Sequence, residues 1–120
     1  MTRGLARMFS TFVAAAAVIT VTSIAASPAS AAPDGQQVFL DQKCNMCHAV
    51  SSAGITPTSK IKAPDLAGLA SKEDAAWLTK FLKKEADKNG KKHVKNFTGT
   101  DADLAAVVAW LQKQTDPARK

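Results

Sequence analysis

The chain has 120 residues, enough for one domain, and carries 16 Lys and Arg against 10 Asp and Glu, a net charge of +6. Setting aside Arg3 and Arg7 at its start leaves 14 against 10, a net +4 over residues 33–120. An excess so small and so evenly spread gives no ground for nucleic-acid binding and suits an acidic docking surface on a partner protein.

The first segment reads as an export signal over residues 1–32. Arg3 and Arg7 precede an apolar run from Phe9 to Ala26, and Ala29-Ser30-Ala31-Ala32 places small residues at the cleavage positions, with the cut near Ala31 or Ala32. The alternative is an uncleaved anchor that keeps the protein on a membrane; the many Ala and Thr residues and the small-residue exit argue against it. The expected domain is then residues 33–120, a length at which one apolar core is marginal without a disulfide, metal or cofactor.

A first helix is predicted from Gly35 to Cys47, capped by Asp34 with Gln37 as its reciprocal partner, and Val38 and Phe39 start its apolar face. From Ala49 to Leu69, Ser51, Gly54, Pro57, Ser59, Pro64 and Gly68 break every sustained period. So long a loop is uncommon unless functional, and wrapping one edge of a cofactor accounts for it. A second helix is predicted after Ser71, whose Ser71-x-x-Asp74 spacing fits a capping box, with Trp77, Leu78, Phe81 and Leu82 as its stripe and Asn89-Gly90 as its stop. A third follows Thr100, again with a box spacing to Asp103, and carries Leu104, Val107, Val108 and Leu111 on one face before Pro117 ends it. No window alternates at period two, so the domain is expected to be all-α.

Cys44-Asn45-Met46-Cys47-His48 is the C-x-x-C-H haem-attachment pattern. Two thiols three residues apart reach the two vinyl groups along one porphyrin edge, while the next imidazole swings beneath the iron. Cys44 and Cys47 would then form thioethers, His48 would be the proximal ligand, and the buried haem would complete the core. The competing readings are a redox dithiol, a zinc half-site and a short-range disulfide. A redox pair calls for a βαβ setting, and zinc for four ligands where Cys44, Cys47, His48 and His93 are all the Cys and His in the chain.

With that motif, Gly35-x-x-x-Phe39 before it, Ala63-Pro64-Asp65-Leu66 after it and the amphipathic Leu104–Leu111 segment with Trp110, the chain resembles the class I cytochrome c family over nearly all of residues 33–120. The resemblance implies a small fold of about three main helices wrapped around one covalently bound haem c. It implies that the first and last helices cross near Gly35, Phe39 and Trp110. It gives Pro64 the carbonyl that holds the proximal histidine, unless Pro64 is an ordinary loop proline. It also allows Trp77 to hydrogen-bond a haem propionate, as tryptophans do in some relatives, or to be a plain core residue.

The family's usual distal methionine is missing. Met1 and Met8 belong to the signal, and Met46 lies between the attaching cysteines. His93 stands in the interval where that methionine normally falls, and neutral imidazole is the best iron donor left, so His48 and His93 are the expected metal ligands. The alternatives are a solvated histidine in the lysine-rich run Lys91-Lys92-His93-Val94-Lys95, or a lysine ligand such as Lys92 or Lys95. Nitrogen in place of sulfur lowers the haem potential.

The expectation is therefore a monohaem carrier of single electrons in the bacterial periplasm, of low potential and not an enzyme. It would work with redox partner proteins as a monomer or as a subunit of an electron-transfer complex. A haem-based small-ligand binder or sensor follows instead if the iron keeps an open position. Seven lysines lie between Lys80 and Lys95, against Glu85 and Asp87; they form either a docking collar or a solvated face.

Overall fold

The computed structural model describes residues 30–118, so the expected export signal lies, as far as residue 29, outside the described residues. In chain order the described elements are α1 (Gly35–Asp41), a hairpin preceded by α2 (Ala75–Leu82) and made of β1 (Asp87–Lys88) and β2 (Lys91–Lys92), and α3 (Asp101–Gln112). Short 3-10 turns occupy Cys44–Met46, Ser51–Ala53 and Ala70–Lys72.

The Asp34 carboxylate starts α1 by accepting from the Gln37 N–H at 2.9 Å. The reciprocal half of the expected box does not form, because the Gln37 side chain donates instead to Asp41, one turn ahead, at 2.8 Å. The helix also stops well short of Cys47. Gln42 closes it on the Leu40 and Val38 carbonyls, and Lys43 takes the left-handed conformation (φ 59°) that usually falls to glycine after a helix end. The attachment motif therefore begins in a separate 3-10 turn, where the His48 N–H reaches the Cys44 carbonyl at 3.0 Å.

The second helix starts later than expected. Ser71 lies inside a 3-10 turn, and it is Asp74 that caps α2, accepting from the N–H groups of Ala76 (2.8 Å) and Trp77 (3.1 Å). The end comes early too: Lys84 turns left-handed at φ 61°, so Asn89-Gly90 stops no helix. Those two residues, at φ 54° and 74°, form the tip of the hairpin, with Asp87 opposite Lys92. Two successive left-handed residues are what a tight hairpin turn requires, and Asn-Gly supplies them at least cost. The all-α expectation is corrected to this extent. Each strand is only two residues long, too short to show a period.

The third helix forms as its spacing indicates. Thr100 accepts from the Asp103 N–H at 3.1 Å, and Asp103 accepts from the Thr100 N–H at 2.9 Å. Leu104, Val107, Val108 and Leu111 are all buried, and the helix ends at Gln112, ahead of Pro117. They meet Val38 and Phe39 of α1, with Val50, Ala70 and Leu78 completing the core. The crossing of α1 and α3 is close: a Cβ on Gly35 would lie 2.3 Å from the Ala106 carbonyl oxygen and 2.4 Å from Trp110 Cβ. The Phe39 and Trp110 rings pack beside it, 5.3 Å apart. The expected crossing at Gly35, Phe39 and Trp110 is thus present. The long loop folds back on the attachment motif, where Thr58 and Ser59 donate their N–H groups to the Asn45 and Met46 carbonyls at 2.9 and 3.1 Å.

Candidate functional site

Cys44 and Cys47 are half-buried free thiols. Burial pushes the Cys44 thiol above its ordinary pKa, against the pull of the Lys95 charge. No three His, Cys, Asp or Glu side chains among the described residues converge as a metal cluster, so the zinc half-site lacks its other half. No βαβ unit surrounds the pair either, since the described strands form only the short hairpin.

His48 sits against the long loop, its Nδ1 at 2.8 Å from the Pro64 carbonyl oxygen. That bond requires the proton on Nδ1 and leaves the Nε2 lone pair for a metal. Burial lowers the pKa of the ring, the Pro64 carbonyl works in the opposite direction, and a charge on His93 would add to the lowering. The imidazole is accordingly favoured in the neutral, donating form. Pro64 is fixed in turn by its neighbours. Leu66 N–H bonds the Ala49 carbonyl at 2.9 Å, and Asp65 accepts from the N–H groups of Ser51 (3.2 Å) and Ala67 (2.9 Å). Burial opposes the Asp65 charge, but these donors outweigh it and hold the carboxyl below its usual range. The sequence placed Asp65 in a motif without a task; its Asx-type bond to the N–H two residues on was the available signal.

The hairpin brings His93 near His48. Its ring centre lies 6.1 Å from that of His48, with the planes only 13° apart. Its Nδ1 faces the Lys95 carbonyl oxygen at 2.5 Å, so here too Nε2 is the free nitrogen. Two metal–imidazole bonds of about 2.0–2.1 Å laid end to end, with a ring radius added on each side, come to roughly 6 Å. The observed separation is thus of the size at which two imidazoles would hold one metal ion between them. A concavity at His93 is lined by Cys44, Leu82, His93 and Phe97 among others, which brings one cysteine of the attachment motif and His93 to one cavity.

The remaining expected residues fall further out. Trp77 stacks on Phe81 (4.8 Å, planes 14° apart) and carries the Lys88 ammonium 5.3 Å from its centre. Phe81 in turn meets the His93 imidazole edge-on, at 5.3 Å and 63°. Of the two lysines weighed as ligands, Lys95 donates its ammonium to the Gln42 carbonyl and Lys92 lies exposed on β2. Phe81 is a site neighbour that the sequence showed only as part of an apolar stripe.

No curated protein and no solved structure matches the chain. The family model described as Cytochrome c matches residues 32–115, which takes in all three helices, the attachment motif, the loop that holds His48 and the hairpin that carries His93. On that match and this geometry, the chain belongs to the cytochrome c family and carries a covalently attached haem c.

Proposed function

We propose that this cytochrome is a low-potential carrier of single electrons, exported to the bacterial periplasm, with the haem iron held between His48 and His93, and that it is not an enzyme. The observation that supports this most directly is the pair of near-parallel imidazoles 6.1 Å apart, each with a carbonyl on Nδ1. Family membership itself supports haem-based electron carriage among redox partner proteins. Haem supplies the one-electron couple.

The chain's own residues do the rest. Cys44 and Cys47 anchor the group, the Pro64 carbonyl strengthens His48 as a donor, and the Lys95 carbonyl does the same for His93. Two nitrogen donors favour the oxidised iron more than a nitrogen and a sulfur do, which lowers the potential. Export is supported by the N-terminal pattern, and an acidic redox partner by the positive charge of residues 33–120.

A redox titration of the holoprotein followed by optical spectra tests the reading. The oxidised protein is expected to lack the weak long-wavelength band of a sulfur–iron(III) bond, and the potential to lie below that of histidine–methionine relatives. Fast, saturable carbon monoxide binding by the reduced protein would overturn it in favour of a small-ligand binder or sensor.

A further inference from the structure

An aromatic column stands behind the distal histidine. Glu73 pairs with Lys88, the Lys88 ammonium lies over Trp77, Trp77 stacks on Phe81, and Phe81 meets His93 edge-on. Trp77 and Phe81 are one helical turn apart on α2, so their stacking is built into the helix. The segment after His93 is also tied back to α2: Lys84 donates its ammonium to the Val94 carbonyl at 3.1 Å, and Phe97 its N–H to the Leu82 carbonyl at 2.9 Å. Position and rotation are thus fixed by different contacts. The ties to Lys84 and Leu82 fix where the backbone runs, the Lys95 carbonyl holds the Nδ1 edge of the imidazole, and the Phe81 ring restricts its remaining rotation about that contact.

From these contacts, and resting on the reading of His93 as distal ligand, we propose that Phe81, backed by Trp77, is a positioning residue that sets the plane of the His93 imidazole nearly parallel to that of His48. The consequence is electronic. Parallel axial imidazoles place their π orbitals along one direction in the haem plane and split the iron d orbitals strongly. Crossed imidazoles leave two of those orbitals nearly degenerate. The signature is in the electron paramagnetic resonance of the oxidised holoprotein, which is rhombic for parallel planes and dominated by one large g value for crossed planes.

The test compares that spectrum in the wild-type holoprotein and in Phe81→Leu and Phe81→Tyr. Wild type and Phe81→Tyr are expected to give the rhombic low-spin spectrum, since both keep a ring against His93. Phe81→Leu is expected to lose it, shifting toward the large-g form or a spread of orientations, with helix content by far-ultraviolet circular dichroism unchanged. A Phe81→Leu spectrum that stays rhombic overturns the positioning role while leaving His93 as ligand intact. A wild-type spectrum that is high-spin overturns the ligand reading itself, and the positioning role with it. Should Phe81→Leu prove too unstable to load haem, Phe81→Ile and Trp77→Leu carry the same comparison with the same two outcomes.

Discussion

One nitrogen of His93 faces the Lys95 carbonyl and the other is left to donate, and the same division holds at His48 with Pro64. A side chain without a lone pair cannot replace either. His93→Ala is expected to convert low-spin haem into a high-spin or ligand-exchangeable form, read in the optical spectrum of the holoprotein; an unchanged spectrum would remove His93 from the iron. Pro64 acts differently, since a carbonyl belongs to every residue. What its ring contributes is a fixed φ that presents the carbonyl to His48. The attachment residues were legible because Cys44, Cys47 and His48 work as one local motif, whose spacing is itself the geometry. Phe81 was not, because its place against His93 arises only once α2 and the hairpin have packed.

Among the elements, the boundary between α1 and α3 is the least forgiving. A methyl group on Gly35 would meet Ala106 backbone, which cannot swing aside as a flexible side chain can. Gly35→Ala is expected to push the helices apart and destabilise the holoprotein by about 1–3 kcal/mol, the range of an overpacked core, as measured by denaturant unfolding. The third helix was readable to its first residue because Thr100 and Asp103 each satisfy the other's backbone N–H. The ends of α1 and α2 were not, because lysines rather than glycines take the left-handed position, at Lys43 and Lys84. Nothing in the side chain of lysine announces that conformation. Asn89-Gly90 misled for the opposite reason: the same pair suits a helix stop and a hairpin tip, and only the chain's path decides between them.

Over the whole molecule, the lysines from Lys80 to Lys95 divide by what they touch. Lys83 pairs with Asp101 and Lys88 with Glu73, while Lys84 and Lys95 donate to backbone carbonyls. Their charges are committed to holding α2 and the hairpin in place, which leaves Lys80 on α2 and the adjacent Lys91 and Lys92 on the exposed strand, the last two being the pair best placed for a partner. Reversing both with Lys91→Glu and Lys92→Glu is expected to slow electron exchange with an acidic redox protein at low ionic strength. The difference should shrink as salt shortens the screening length from ~10 Å at 0.1 M to ~3 Å at 1 M. Stopped-flow rates across a salt series check it; equal rates at low salt would make these lysines a solvated face.

The hairpin has a further meaning as a measuring device. His93 follows directly on β2, so its position is counted from the tip at Asn89-Gly90. Side chains along a strand alternate in direction, and a slip of one residue turns each of them to the opposite side. On the proposed ligation, turn length in this protein is a variable of coordination chemistry: one residue gained or lost at an exposed loop tip would aim the His93 imidazole away from His48 and from the iron the two would share, with every residue of the pocket still in the sequence.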